Sequence, residues 1–106
     1  MFSIQGFYKI KSINRSDLYK DKLKKYLLSK SVKGTIILSP EGINGTIAGK
    51  KSNVNCCIKF IKNKFSINIF DSKNTATCKF LPFYRAKVKV KKEVIPIGLE
   101  IKVSER

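Results

Sequence analysis

Histidine is absent from this chain of 106 residues, and cysteine is scarce. Cys56 and Cys57 are adjacent and Cys78 stands alone, so no Cys-x-x-Cys spacing exists. A tetrahedral zinc site would lack a fourth ligand, and a Cys-His nucleophile pair is impossible. We therefore expect three reduced, partly buried thiols, with no metal site and no cofactor in this chain.

Acidic residues are also few, at 7 in the whole chain. Glu41 and Glu93 are the candidate catalytic carboxylates, and neither has a partner suited to general acid-base chemistry. We expect the Glu41 side chain to accept hydrogen bonds from turn amides and Glu93 to pair with a nearby lysine. No phosphate-cradling loop or nucleophile elbow is present. The sequence thus predicts no catalytic residue.

Long apolar runs are missing, since the stretch Thr35–Leu38 has only the length of a strand. The first residues lack the basic and apolar segments of a secretory signal. We expect one cytoplasmic domain without a membrane partner.

Basic residues, in contrast, number 23, which gives a formal net charge of +16. Such an excess attracts polyanions, of which nucleic acid is the commonest and anionic lipid the next. Only Arg15, Arg85 and Arg106 are arginines, and lysine, isoleucine and asparagine are abundant. An AT-rich coding sequence produces the same composition, so both explanations stay open.

Hydrophobic periodicity predicts a ferredoxin-like fold, βαββαβ with an additional strand. Two helices are expected on one face of an antiparallel sheet. The predicted strands cover 4–13, 32–39, the stretch ending at 48, 65–70 and 84–94. The predicted helices cover 17–31 and 52–63, with Ser52 or Asn53 as the second cap, and 71–78 is predicted as a loop. Residues 1–98 form the predicted domain, and 99–106 a tail or the start of a linker.

A dense cluster of special residues lies between the second and third predicted strands. We interpret it as a hairpin turn in which glycine and asparagine supply positive φ angles. Its residues are Glu41, Gly42, Ile43, Asn44 and Gly45.

The last predicted strand is the best candidate binding surface. Alternation directs Tyr84, Ala86, Val88 and Val90 inward and places basic side chains about 7 Å apart on the other face. If this strand neighbours the first, Phe7 adds an aromatic platform and two lysines add charge, an arrangement that binds RNA. The alternative is a solvated strand of lysines without a ligand. The predicted nucleic-acid-binding residues are Phe7, Lys9, Lys11, Arg85, Lys87, Lys89 and Lys91.

Three segments together resemble one known family. They are Phe7-Tyr8-Lys9, the run 33–49 containing Glu-Gly-Ile-Asn-Gly, and the run 82–94 containing Lys-Lys-Glu-Val. They are similar to the N-terminal, acylphosphatase-like domain of the rhodanese-related tRNA uridine hydroxylases, and they span nearly the whole chain.

The resemblance implies a role in tRNA modification. Family members hydroxylate the wobble uridine of certain tRNAs with molecular oxygen, and their reactive cysteine lies in a rhodanese domain. None of the three cysteines here matches that position, so the chain is expected to be an excised domain or the product of a truncated gene. Its implied role is to present the anticodon arm of tRNA to the rhodanese domain of the same protein.

Two alternatives to this role remain open. The domain is a packing or dimerisation module without RNA contact, or, as a minor alternative, a stand-alone acylphosphatase. In the second case Arg15 would hold the phosphate and Asn44 would orient water.

Overall fold

The computed structural model describes residues 1–14 and 16–91. The chain forms one five-stranded sheet in the order β4-β1-β3-β2-β5, together with two helices. This is the predicted ferredoxin-like arrangement with its additional strand. The elements are β1 (Phe2–Ile10), α1 (Ser16–Ser29), β2 (Lys33–Ser39), β3 (Gly42–Gly49), α2 (Lys51–Phe65), β4 (Ser72–Cys78) and β5 (Ala86–Val90).

The sheet is mixed, which corrects the expectation of a fully antiparallel one. β1 pairs antiparallel with β3 and β4, and β2 pairs antiparallel with β3, but β5 runs parallel to β2. The predicted aromatic platform required the last strand to neighbour the first. This requirement is not met, because β3 and β2 lie between β5 and β1. At the usual strand spacing this separates β5 from β1 by about 14 Å.

Both helices pack on one face of the sheet, as predicted. α1 lies against β2 and β5, and α2 lies against β1 and β3. The predicted stripe of α2 is buried and ends at Phe65. Each large apolar side chain buried in this way contributes about 1.5–3 kcal/mol.

The ends of α2 differ from the prediction. Its N-cap is Lys50, which makes no side-chain capping bond, rather than Ser52 or Asn53. At the other end Ser66 adopts a left-handed conformation with φ 55° and stops the helix. The helix is therefore longer at both ends than the prediction of 52–63.

Two predicted elements around residue 70 are wrong. Residue 65 ends α2 and residues 66–70 form no strand, although Phe65, Ile67 and Phe70 are buried. Instead, the segment predicted as a loop forms β4, which pairs with β1 from Phe2–Cys78 to Tyr8–Ser72. β4 is a polar edge strand, and its backbone pairing compensates for the absence of an apolar face.

Three predictions concern residues outside the described ranges. They are the part of the last strand beyond residue 91, with Glu93, the tail at 99–106, and the phosphate-binding role of Arg15.

Candidate nucleic-acid interface

The basic side chains of the last strand lie in one exposed row at the edge of the sheet. Ala86 and Val88 are buried under α1 and hold β5 in place. The Gly34 N–H donates to the Arg85 carbonyl at 2.8 Å, and the Lys91 N–H donates to the Leu38 carbonyl at 2.8 Å. The two flanking basic residues are therefore also fixed on β2. The residues of this row, called the basic edge below, are Arg85, Lys87, Lys89 and Lys91, and all are exposed.

The face of the sheet opposite the helices continues from the basic edge. Thr35 is the register partner of both Lys87 and Thr46, and Ile37 is the partner of both Lys89 and Asn44. Register partners project from the same face of a sheet. The open face therefore carries hydroxyl, amide and aliphatic groups beside two lysines.

Phe7 is not on this face, which corrects its predicted role as an aromatic platform. Its side chain is 2% exposed and belongs to the core beneath the helices. Its ring packs against Phe70 with the ring centroids 5.0 Å apart. A base cannot stack on this ring while the domain is folded.

Lys9 lies on β1, which two strands separate from β5, and Lys11 follows β1 beside the β2–β3 hairpin. Lys9 is the register partner of the core residue Ile43, so it shares the face of Phe7 rather than that of Lys87. Its ammonium is 3.4 Å from an Asp71 carboxylate oxygen. Lys11 follows β1, and its N–H donates to the Glu41 carbonyl at 2.9 Å. The predicted set of seven residues is thus divided between separate parts of the surface.

Carboxylates weaken the attraction of this second region for anions. The Ile10 N–H, 2.7 Å from Asp71 Oδ2, and the Lys9 ammonium lower the pKa of the Asp71 carboxyl. Burial raises the pKa of the Tyr8 phenol, and the negative charges of Asp71 and Glu41 raise it further. Residues 85–91, in contrast, carry four cations within about 20 Å of extended chain and include no carboxylate.

The hairpin loop is shorter than predicted. Only Pro40 and Glu41 connect β2 to β3, and Asn44 and Gly45 lie inside β3. The Glu41 N–H donates to the buried Ser39 hydroxyl at 3.0 Å, and its carbonyl accepts from Lys11. Among the described residues, the main chain of Glu41 rather than its carboxylate makes these bonds, which corrects the expected role.

The glycines of this block serve close packing and not positive φ. Gly34, with φ 124°, is the glycine of the described residues that has a positive φ. A Cβ on Gly42 would lie 2.2 Å from the Lys9 carbonyl oxygen. A Cβ on Gly45 would lie 2.8 Å from Phe7 Cζ and 2.9 Å from the Thr35 main-chain carbonyl oxygen. Both glycines therefore admit a neighbouring group, while Asn44 projects onto the open face.

Sequence reasoning missed a cleft at the beginning of the basic edge. Tyr84 was predicted to point inward, but it is 93% exposed. The cleft has a volume of about 230 Å³ and is lined by Gly34, Thr35, Phe83, Tyr84, Arg85 and Lys87. The run of aromatic and basic residues at 83–85 was a signal for this cleft. The prediction extended strand alternation to residue 84, although β5 begins only at Ala86.

The described part of the chain also contains the three cysteines. Cys56, Cys57 and Cys78 are free thiols, and burial raises the pKa of Cys57 to about 12. Residues 1–14 and 16–91 contain no cluster of three or more metal-binding side chains. None of the helices described is long and apolar enough to span a bilayer.

Element order, sheet topology and helix placement define an acylphosphatase-like domain of the ferredoxin type. The acylphosphatase of Bacillus subtilis superposes with a TM-score of 0.55 at 6% identity, covering 86% of this chain and 99% of that protein. At this identity the likeness concerns the fold alone.

Sequence comparison then identifies the family. Residues 2–94 match the UPF0176 acylphosphatase like domain, and the chain belongs to this family. It is 44% identical over 101 residues to the tRNA uridine(34) hydroxylase of Pelagibacter ubique, covering 95% of this chain and 34% of that protein. It is 29% identical over 99 residues to the enzyme of the same name from Teredinibacter turnerae, covering 93% and 30%.

These matches confirm the resemblance found in the sequence. The chain spans about a third of the length of the curated relatives it matches and corresponds to their N-terminal domain.

Proposed function

We propose that this domain binds tRNA through the basic edge and positions the anticodon arm for the catalytic part of a tRNA uridine hydroxylase. The catalytic part would be a rhodanese domain of the same cytoplasmic protein. The domain itself would need no cofactor for this role. The observation that carries the proposal is the exposed row from Arg85 to Lys91, beside an open face that offers hydrogen-bonding groups. Relatives named as tRNA-modifying enzymes supply the class of ligand.

The geometry of the basic edge suits a phosphate backbone. Alternate residues of a strand project on one side at about 7 Å intervals, which places Lys87 and Lys89 in line on β5. Arg85 and Lys91 flank them and are held on β2 by main-chain hydrogen bonds. Each phosphate neutralised by a cation releases counterions, and the affinity therefore falls with salt. Lysines on an edge strand also prevent unwanted pairing between sheets, so exposure of these residues alone does not require a ligand.

The test reverses two charges of the basic edge in the 106-residue chain. We expect Lys87→Glu with Lys89→Glu to weaken tRNA binding and to reduce the slope of log K against log salt by about 0.7–0.9 for each lost contact. Fluorescence anisotropy of labelled tRNA across a salt series measures both quantities.

The matched control is Lys22→Glu with Lys25→Glu on α1. Both residues are exposed, and they lie on the side of α1 that faces Phe60 and Lys64 of α2 rather than on the side that packs on β5. Each pair of substitutions removes four charge units and lowers the formal net charge from +16 to +12. An equal loss of affinity in the two variants would mean that net charge, and not the basic edge, holds the tRNA. Binding that survives reversal of Lys87 and Lys89 would also refute the proposal.

A second function is favoured by the open face of the sheet. Ile4 and Ile37 are only half-buried there, so the face offers apolar area to another domain or to a second copy of this chain. In that case Asn44 would be an interface residue and no RNA contact would be made. Amide chemical shifts during a tRNA titration separate the two functions. Shifts confined to β5 and its flanks support tRNA binding, and an absence of shifts supports the packing function.

The acylphosphatase alternative has support from the fold alone. Asn44 lies in β3 on the open face, as the register partner of Tyr8. Hydrolysis of an acyl phosphate that disappears in Arg15→Ala would establish this activity.

A further inference from the structure

The cleft at the beginning of β5 has the composition of a site for a single unpaired base. We propose that it holds one nucleobase of a bound RNA strand, with the Tyr84 ring as the stacking surface. Arg85 and Lys87 would hold the phosphates on either side of that nucleotide. This inference rests on the proposed RNA-binding function and adds a preference for unpaired over paired RNA.

The Tyr84 side chain is almost fully exposed to solvent. Among the large hydrophobic side chains described, none is more exposed than this one, at 93%. A tyrosine ring loses favourable burial when it stands in water, and its rigid aromatic face is well suited to an intermolecular contact. The ring belongs to the lining of a cleft of about 230 Å³, so a planar ligand would meet walls as well as the ring.

Polar and charged groups surround the cleft. Arg85 and Lys87 are both exposed cations, and none of the described residues lining the cleft carries a carboxylate. Thr35 lies beside Lys87 as its register partner and brings a hydroxyl that both donates and accepts hydrogen bonds. The hydrogen bond from the Gly34 N–H fixes the Arg85 main chain against β2. An aromatic surface beside two cations and a hydroxyl matches how proteins bind single-stranded RNA.

A second aromatic surface, formed by Tyr26 and Phe60, lies on the helix layer. The rings of Tyr26 and Phe60 stack on each other, with their centroids 4.1 Å apart and their planes 12° from parallel. The ammonium of Lys30 lies 5.9 Å from the Tyr26 centroid, and that of Lys64 lies 5.4 Å from the Phe60 centroid. A groove of about 420 Å³ lies beside these two rings, but a base would have to displace the neighbouring ring or a lysine to stack on either of them. Tyr84 is therefore the better stacking candidate, although the helix layer is also basic.

The experiment compares two RNAs with the same number of phosphates, one a hairpin with an unpaired loop and the other fully duplex. We expect Tyr84→Ala to weaken binding of the hairpin by about 5- to 150-fold, the range for loss of one stacked base. Tyr84→Phe keeps the ring and should remain within about twofold of the natural chain. The salt slope should not change in Tyr84→Ala, because the phosphate contacts remain.

A spectroscopic readout follows from the absence of tryptophan in the chain. Tyr84→Trp would place a single indole in the cleft, and we expect its fluorescence to be quenched by the hairpin and not by the duplex. The exposure of residue 84 makes these substitutions compatible with folding.

Two results would overturn the base-binding inference while tRNA binding by the basic edge stands. One is an unchanged affinity in Tyr84→Ala while Lys87→Glu with Lys89→Glu loses binding. The other is an equal loss for the hairpin and the duplex, which would mean that Tyr84 only supports Arg85. If the natural chain binds neither RNA, the proposed function fails and this inference fails with it.

Discussion

Gly45 provides the sharpest test of what the Glu-Gly-Ile-Asn-Gly block does. A Cβ at this position would lie 2.8 Å from Phe7 Cζ, 2.9 Å from the Thr35 oxygen and 3.1 Å from Ile36 Cγ1. The Thr35 main-chain carbonyl oxygen belongs to the ladder between β2 and β3, and the Phe7 ring is packed in the core, so neither group moves freely. We therefore expect Gly45→Ala to destabilise the domain through overpacking.

The magnitude follows from two opposing effects. Overpacking a dense core costs about 1–3 kcal/mol, and replacing glycine by alanine inside a strand returns about 0.5–1 kcal/mol of conformational entropy. The expected net loss in free energy of unfolding is therefore about 1 kcal/mol, within a range from about 0 to 2.5 kcal/mol. For a chain of this size each kcal/mol lowers the melting temperature by about 4–8 °C. Urea denaturation followed by circular dichroism measures the loss directly.

Gly6→Ala is the matched control in the neighbouring strand. A Cβ on Gly6 would lie 3.6 Å from Thr46 Oγ1 and 3.8 Å from the Gly45 oxygen, which are ordinary contacts. We expect this variant to be as stable as the natural chain or about 0.5 kcal/mol more stable. Equal stabilities of Gly45→Ala and Gly6→Ala would refute the packing account.

A double substitution identifies the responsible contact. Phe7→Leu removes the ring that occupies the space over Gly45, so part of the cost of Gly45→Ala should disappear in the double variant. The coupling energy expected for contacting residues is about 0.5–3 kcal/mol. Additive effects would assign the cost to the Thr35 oxygen instead. Folded Gly45→Ala should bind tRNA normally, since Gly45 lies on the helix-facing side; a selective loss of binding at unchanged stability would give this glycine a functional role.

Three further outcomes are expected from single positions. Gly34→Ala should lose at least about 2 kcal/mol of stability, because φ is 124° and the Cβ would lie 2.1 Å from the Thr46 oxygen; a near-neutral result in urea denaturation would contradict this. Cys57 holds its proton more tightly in the folded state, so its contribution to stability is complete below pH 9 and declines as the pH rises from 9 towards 12. The stability difference between the natural chain and Cys57→Ala should therefore shrink over that range, and a constant difference would argue against a buried protonated thiol. Asp71→Asn should lower stability at pH 7, and the difference should vanish as the pH falls through the lowered pKa of the carboxyl; an equal difference in acid would mean that the charge is irrelevant.

The parts of the fold that were predicted correctly are those in which local pattern and burial agree. The α2 stripe from Val54 to Ile61 follows the helical period, and the structure buries it against β1 and β3. β4 could not be predicted, because a polar edge strand is defined by the hydrogen bonds that β1 offers and not by its own apolar residues. The parallel pairing of β5 with β2 likewise depends on the path of the chain through space, which alternation does not encode.

The four predicted cations of the last strand are all exposed, but Lys9 lies on the face of Phe7 rather than beside them, Phe7 is buried and Tyr84 is exposed. The errors at Phe7 and at Tyr84 each have a physical cause. In the predicted first strand Phe7 shares a face with Gln5 and Lys9, and these polar neighbours are typical of a face exposed to solvent. Burial of this polar face is possible because the Gln5 amide donates to Asn55 at 3.2 Å and because Gly45, opposite Phe7, leaves space for the ring.

At the other end of the chain the inward assignment of Tyr84 assumed that strand alternation began at residue 84. β5 begins at Ala86, and before it the backbone is free of that two-residue period. The result is an exchange of roles, in which Phe7 is buried in the core and Tyr84 stands beside Arg85 at the cleft. The exposed aromatic residue beside the basic strand is therefore Tyr84 and not Phe7. If Tyr84→Ala discriminates between unpaired and paired RNA while Phe7→Leu affects only stability, the predicted aromatic platform is provided by Tyr84.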